Sequence, residues 1–187
     1  MSVLLVLLGI DGHRVSTRGI GGITRLQKLL FLIWKDAGIQ EVEKYFEFEC
    51  HEAGPLSRRL YDELESLENL GLIQSEACGR AVEAEAIELQ ELAFGHLADN
   101  DRFEMTASDC FEERRFTLTD RGLKSVKQML EKPEFTPFAD GIRKIKSKFA
   151  NYSLQDLLYP VYTKYGADGW IPDSMIVDDV LRKGMLR

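Results

Sequence analysis

Apolar residues recur at helical spacing along two long stretches of the chain. Between Gly21 and Gly38 they fall at Ile23, Leu26, Leu30, Ile33 and Trp34. Between Gly54 and Gly71 they fall at Leu56, Leu60, Leu64, Leu67 and Leu70. Both patterns predict an amphipathic helix, and a glycine after the last apolar position is a usual helix stop. Pro55 suits the first turn of the second helix, because its missing N–H has no intrahelical partner to lose.

Alternation of apolar and polar residues predicts strands on either side of this second helix. Residues 45–50 alternate before it, and residues 72–77 follow it as a short strand. Residues 81–89 are ambiguous, because their alternation favours a strand whereas their alanines and glutamates favour a helix. Residues 90–111 have no clear period and are expected to form an exposed loop. Residues 112–122 then predict a strand that turns into a helix capped by Thr119.

Further helices are predicted at both ends of the chain. Residues 3–10 are apolar throughout but far shorter than the ~20 residues of a membrane span, so we expect a buried first helix. After Pro133 and Pro137 come a basic helix, a helix interrupted by Pro160 and a short last helix. This order of elements predicts an α+β, mostly helical chain. A winged helix-turn-helix domain would span residues 1–132, and a helical C-terminal extension residues 133–187.

Charge is distributed unevenly along the chain, whose formal net charge is −7. Residues 81–113 hold ten acidic side chains against the single base Arg102, whereas residues 114–148 hold ten basic and four acidic ones. Non-specific DNA binding depends on basic side chains that neutralise phosphates, so the net charge argues against it. The acidic stretch would insert into the wing, where it would repel a duplex.

Four blocks of the sequence resemble those of a known family. In chain order they are GITRLQKLLFLI, HEAGPLSRRLYDELESLENLGLI, RRFTLTDRG and SLQDLLYPVYTKYG. Their order and spacing, over about residues 23–176, resemble the YwgA-like winged-helix proteins and, more distantly, the Panacea (SocA-like) antitoxin domains. An aromatic residue is more usual before Gly54 in those families, and tyrosine-proline is more usual at Tyr165-Gly166. The first family implies no known chemistry, and the second implies binding of a partner protein, typically a toxin.

One set of residues is a candidate for contacting nucleic acid. It lies at the start of the third helix, where such domains read DNA, and in the basic segment after the wing. It comprises Ser57, Arg58, Arg59, Arg114, Arg115, Arg143, Lys144 and Lys146. Alternatively, Arg58 and Arg59 are solvated or paired with Asp62 and Glu63 at helical spacing. The basic segment could instead pair with the acidic stretch of its own chain or of a dimer mate.

A second set is a candidate for contacting a protein partner. Tyrosine and tryptophan are enriched at protein interfaces, and the C-terminal extension carries Tyr159, Tyr162, Tyr165 and Trp170. The alternative is that these aromatic residues pack the extension onto the winged domain.

The sequence contains no pattern typical of a catalytic or metal site. Cys50, Cys78 and Cys110 lack the spacing of a zinc site, and Cys50 is expected to fill the core from the apolar face of its strand. Motifs for phosphate loops, dinucleotides, zinc proteases and serine hydrolases are absent. We therefore expect neither a cofactor nor an enzymatic activity.

Two hypotheses remain for a protein that we expect to be cytoplasmic and outside the membrane. In the first, it is a non-catalytic regulatory module, antitoxin-like or adaptor-like, that binds a protein partner. In the second, it is a DNA-binding transcriptional regulator, expected to be a homodimer, that uses the third helix and the basic 114–148 surface. The distribution of charge favours the first hypothesis.

Overall fold

The computed structural model describes residues 2–12, 14–51, 53–77, 114–149 and 151–185. These ranges contain eight α-helices: α1 (Val3–Gly9), α2 (Ile23–Lys35), α3 (Gln40–Phe46), α4 (Arg59–Asn69), α5 (Asp120–Leu130), α6 (Thr136–Phe149), α7 (Leu154–Tyr165) and α8 (Met175–Met185). They also contain seven short strands: β1 (Ile10–Asp11), β2 (Arg14–Val15), β3 (Ile20–Gly21), β4 (Glu49–His51), β5 (Gly54–Leu56), β6 (Ile73–Ala77) and β7 (Arg114–Leu118). The predicted α+β, mostly helical class is confirmed. The predictions for residues 81–89 and 90–111 fall outside the described residues.

Strands β3, β7 and β6 form an antiparallel sheet in that order. Ile20 lies opposite Phe116, and the β6–β7 pair runs from Ile73 opposite Leu118 to Ala77 opposite Arg114. Ile20, Ile73, Phe116 and Leu118 are buried, so one face of the sheet belongs to the core. Strands β6 and β7 also bring the two ends of residues 78–113 together. The pairs β1–β2 and β4–β5 are separate two-stranded ribbons.

The hydrophobic core is continuous from α1 to α8. All of α1 is buried, as predicted, and α2 is buried without interruption from Leu26 to Ile33. Residues of the C-terminal helices, including Ile142, Leu157 and Val180, belong to the same cluster of buried side chains. A helix buried on all sides must provide partners for any polar side chain it carries. This requirement applies to Gln27 and Lys28 in α2.

The leucine-spaced helix α4 begins later than its sequence pattern predicts. Its first residue is Arg59, whereas Gly54–Leu56 form strand β5, so the prediction that Pro55 opens the helix is wrong. Gly54 has a φ of +81°, which a right-handed helix cannot accommodate. The predicted stop is confirmed: Gly71 has a φ of +64°, and the Leu72 N–H donates to the Leu67 carbonyl at 2.9 Å.

The predicted strand over residues 45–50 is also wrong in its first half. Val42 and Phe46 are buried one turn apart in helix α3. The helix ends where Glu47 adopts the left-handed conformation, with a φ of +48°. Only Glu49–His51 then forms a strand. Cys50 is exposed, so its prediction as core filler is wrong.

Residues 53–57, here called the buried turn, are held by side chains from other elements. The Gln27 side chain donates to the Ser57 carbonyl at 2.8 Å and accepts from the Ser57 N–H at 2.9 Å. Lys28 Nζ donates to the Pro55 carbonyl at 2.8 Å, and the Tyr162 hydroxyl donates to the Ala53 carbonyl at 2.9 Å. These bonds satisfy backbone groups that are shielded from water.

The junction between β7 and α5 depends on a threonine and a glycine. The Thr119 hydroxyl accepts from the Gly122 N–H at 3.1 Å, which confirms it as the helix cap, and donates to the Gly71 carbonyl at 2.7 Å. A Cβ at position 122 would lie 1.9 Å from the Leu72 carbonyl oxygen. Only glycine therefore allows α5 to approach the end of α4 this closely.

Two lysines are buried, and both donate to backbone carbonyls. Lys28 is 2% exposed and Lys146 is 9% exposed; Lys146 Nζ donates to the Leu7 and Leu8 carbonyls at 2.7 and 3.0 Å, at the end of α1. Burial lowers the pKa of Lys28 to about 7 and that of Lys146 to about 8. Each charge is therefore costly in the folded state despite its hydrogen bonds.

Replacing Ser57 by alanine should destabilise the protein. The Ser57 hydroxyl donates to the Phe46 carbonyl, and its loss leaves that buried acceptor without this donor. We expect the free energy of unfolding to fall by about 1–3 kcal/mol, measured by urea denaturation. Ser66→Ala, on the exposed side of α4, is the control and should be nearly neutral. Equal effects of the two substitutions would contradict a special role for the buried turn.

Stability should increase with pH between about 7 and 9.5. Burial lowers the Lys28 pKa from 10.5 to about 7, so in this window the unfolded chain binds a proton that the folded chain has released. The free energy of unfolding then rises with pH, by at most about 1.4 kcal/mol per pH unit for each such lysine. Lys28→Met should flatten the rise seen in urea titrations, whereas Lys44→Met, at an exposed position, should not. An unchanged slope in Lys28→Met would show that Lys28 does not cause it.

Candidate protein-interaction surface

Helices α3 and α4 and the segment between them form a surface rich in carboxylates, here called the α3–α4 surface. Its acidic side chains are Glu41, Glu43, Glu47, Glu49, Asp62, Glu63, Glu65 and Glu68, and its basic ones are Lys44, Arg58 and Arg59. The leucines Leu60, Leu64 and Leu67 are buried on the other face of α4, which forces the charged residues outward. The surface is therefore strongly acidic as a whole.

Both arginines at the start of α4 form ion pairs within the chain. Arg58 Nε lies 2.8 Å from Glu49 Oε1, and Arg59 Nη2 lies 2.8 Å from Glu47 Oε1. Pairing was one of the alternatives that the sequence left open, but the partners are not Asp62 and Glu63. The partners are carboxylates of the segment after α3, and the spacing of residues along one helix cannot predict a pair with another segment. A phosphate would have to compete with these carboxylates.

Ser57, the third candidate at this helix start, faces the interior. It is fully buried, and both its backbone and its hydroxyl bond within the protein. The prediction that Ser57 contacts nucleic acid is therefore wrong. The Ser57 hydroxyl joins the buried turn to the end of α3 by donating to the Phe46 carbonyl.

Tyr45 stands out on the α3–α4 surface, although no sequence pattern marked it as a contact residue. It is 48% exposed, and its hydroxyl donates to Glu63 Oε2. This hydrogen bond to a carboxylate is the main cause that raises the Tyr45 pKa to about 12. An exposed tyrosine among charged groups has the character of an interface anchor. The period-two pattern had placed it in a strand, which concealed its position beside α4.

The basic residues predicted after the wing do not form one surface. Arg114 and Arg115 are exposed on β7, and Lys144 is exposed on α6. Arg143 donates to the Gly12 carbonyl at 2.7 Å and pairs with its helical neighbour Asp140. Lys146 is buried beneath α1, so its prediction as a surface contact is wrong.

A row of exposed bases lies instead on α5. Arg121, Lys124 and Lys127 are spaced three residues apart on one side of this helix. Arg121 Nη1 also donates to the Leu70 carbonyl at 2.8 Å, at the end of α4. The α5 row is the most regular basic feature among the described residues.

The aromatic residues of the C-terminal helices mainly hold those helices against α2. Tyr162 and Tyr165 are buried, so their prediction as partner contacts is wrong. The Tyr165 hydroxyl donates to Asp36, and Trp170 packs edge to face on Trp34 with centroids 5.2 Å apart. The alternative in which these residues pack the extension onto the rest of the chain is therefore correct for them.

Tyr159, the fourth member of this set, lies half-buried at a cleft of about 530 Å³ between α7 and α8. Its ring occupies the space that a side chain at position 184 would need, since a Cβ there would lie 2.0 Å from it.

Within the described ranges, no cluster of histidine, cysteine and carboxylate side chains could hold a metal ion. No described helix is long and apolar enough to cross a membrane.

Replacing Arg58 and Arg59 together by alanine should alter the folding stability little. Both ion pairs are exposed, and such pairs typically contribute up to about 1 kcal/mol each. We expect a decrease below about 2 kcal/mol in thermal or urea denaturation. The pair Lys124→Ala and Lys127→Ala is the matched control. A larger loss in the arginine variant would mean that these pairs support the start of α4.

A scan of the chain against protein-family models found no match, and a search of curated proteins found no similar protein. The resemblance suggested by the four sequence blocks therefore remains a prediction. The features that bear on function are the acidic α3–α4 surface, the paired arginines at the start of α4 and the basic row on α5.

Proposed function

We propose that this protein is a non-catalytic regulatory module of winged-helix type that binds a basic protein partner through the α3–α4 surface. One observation carries the proposal: the helix in the position of a DNA reader is acidic, and its two arginines pair with carboxylates of the same chain. Such a surface repels phosphate and complements a basic protein. Tyr45 would supply the aromatic anchor.

The arrangement of the sheet supports the winged-helix part of the proposal. Strand β3 follows α1, strands β6 and β7 follow α4, and the three pair in the order β3-β7-β6. A pair of strands that follows the helix in the reading position, here α4, and pairs with an earlier strand suits a wing. Here α3, β4 and β5 intervene between α2 and α4. The resemblance to antitoxin domains supports an antitoxin-like or adaptor-like role.

The proposal predicts that reversing charge on α4 abolishes partner capture. Asp62→Lys with Glu65→Lys converts two exposed carboxylates, while Glu131→Lys with Glu134→Lys makes the same change in charge at exposed positions outside the surface. Purified variants would serve as bait in extracts of the source cell, with bound proteins quantified by mass spectrometry. We expect one partner to be retained by the wild type and the control but reduced more than tenfold in the α4 variant. Equal retention by all three proteins would contradict the proposal.

DNA binding is the second candidate function, and the basic row on α5 is the observation that favours it. Lys124 and Lys127 are exposed on α5, and Arg114 and Arg115, nearby in the sequence, are exposed on β7, so a duplex would meet bases other than the paired arginines of α4. Each phosphate contact would make the affinity more dependent on salt. In this alternative, α4 is not the reading helix.

Fluorescence anisotropy with a random labelled duplex, at low and moderate salt, separates the two functions. The primary proposal predicts no binding at either salt concentration. Micromolar binding that weakens steeply with salt would support the alternative. In that event, Lys124→Glu with Lys127→Glu should abolish binding, whereas Arg58→Glu with Arg59→Glu should leave it. If instead the arginine variant lost binding and the lysine variant kept it, α4 would be the helix that contacts DNA.

A further inference from the structure

Two indole rings enclose a lysine ammonium where the C-terminal extension meets α2. Trp34, near the end of α2, and Trp170, before α8, lie perpendicular to each other with centroids 5.2 Å apart. Lys35 Nζ lies 4.0 Å from the Trp34 centroid and 4.9 Å from that of Trp170. Both distances are within the range of cation–π attraction, about 6 Å. The two rings therefore already bind a cation.

The walls of this site are fixed by packing that does not involve Lys35. Trp34 stacks on Phe48, with centroids 5.8 Å apart and planes inclined by 6°, and its Nε1 donates to Gln40 Oε1 at 3.3 Å. Phe31 contacts Trp34 and Trp170 edge to face, at 5.6 and 5.5 Å. A site with walls held in this way is preorganised for its ligand.

The occupant, by contrast, is held only by the rings. No carboxylate of the described residues lies within salt-bridge distance of the Lys35 ammonium. Lys164 on α7 differs from Lys35 in this respect, because it forms an ion pair with Asp36, the residue that follows Lys35. Lys35 also reaches the rings by a flexible four-carbon stem. The side chain can leave without breaking an ion pair or moving the backbone.

We propose that Trp34 and Trp170 form a binding cage for a quaternary ammonium group, in which Lys35 is a displaceable resident. Perpendicular aromatic walls without a carboxylate suit such a group, because it has no N–H to satisfy and interacts with the rings through its charge and methyl groups. The group could belong to a choline-like small molecule or to a trimethylated lysine of a protein. The proposal uses none of the charged side chains of the α3–α4 surface and does not rest on the function proposed for that surface.

The resident lysine should weaken binding of a free ligand. A tethered group competes with an effective concentration of order millimolar, and the apparent dissociation constant rises in inverse proportion to the vacant fraction of sites. If Lys35 occupies the cage about nine-tenths of the time, its removal should lower the dissociation constant about tenfold. The proposal thus predicts a gain of binding upon truncation.

Intrinsic fluorescence is a direct readout, because Trp34 and Trp170 are the two tryptophans of the chain. Tetramethylammonium chloride would be titrated into wild-type protein, Lys35→Ala and Lys164→Ala, with sodium chloride at equal ionic strength as the blank. We expect a saturable change in Lys35→Ala, with a dissociation constant about tenfold lower than in the wild type. Lys164→Ala should behave as the wild type.

The absence of a saturable change in a folded Lys35→Ala protein, or equal responses in Lys35→Ala and Lys164→Ala, would overturn the proposal. Circular dichroism checks folding, and Lys35→Gln replaces Lys35→Ala if the alanine variant does not fold. Adding Trp170→Phe to the Lys35 variant should weaken binding, since the ring with the stronger attraction for cations is lost. Titrations with choline and with trimethyllysine then distinguish the two sources, because the ligand that binds more tightly identifies the natural class.

Discussion

The fold depends on how one buried stretch of backbone, which includes the short strand β5, obtains its hydrogen bonds. The buried turn at residues 53–57 is shielded from water, and the groups that bond to it come from distant parts of the chain. Gln27 and Lys28 reach it from α2, and Tyr162 reaches it from α7. Each unmet backbone group would cost roughly 1–3 kcal/mol. The positions of α2, α7 and the start of α4 are consequently coupled through this one turn.

The same constraint explains why three of the four sequence blocks that carry the family resemblance meet in space. The pair Gln27-Lys28 comes from the first block, the turn itself from the second, and Tyr162 from the fourth. The remaining block contributes Thr119 and Gly122, which set the approach of α5 to α4. Much of what is distinctive in the sequence therefore serves the fold. The functional residues have to be sought among the exposed groups that remain.

The sequence predicted elements with a single apolar face well, and it failed where backbone and side chains bond across the chain. The periodicity located the body and end of α4, because burial of one face controls that helix, and it also located α2, which is buried on all sides. It misplaced the start of α4, since Gly54 and Pro55 resemble a helix start but belong to a strand. It assigned Lys146 to the surface because charge alone does not reveal a buried acceptor. For Gln27 and Lys28, the one signal of burial in the sequence was the uninterrupted run of apolar residues that follows them.

Of the interaction surfaces, the sequence predicted the acidity of α4 but not the partners of its arginines. Arg58 and Arg59 pair with Glu49 and Glu47, whose proximity depends on the reversal of the chain after α3. Tyr45 and the cage around Lys35 were likewise hidden, because both depend on contacts between separate elements. All five exposed bases on β7 and α5, by contrast, belong to the basic segment 114–148 that the charge count identified.

The pairing of Ala77 with Arg114 has a consequence for how this chain can change over evolution. Residues 78–113 are joined to the fold at Ala77 and Arg114, which lie opposite each other on the paired strands β6 and β7. As a general rule, doubling the length of a flexible loop between two fixed points costs only about 0.6 kcal/mol in chain entropy. Insertion or deletion of residues between these two strands therefore requires no change in the register of β6 and β7.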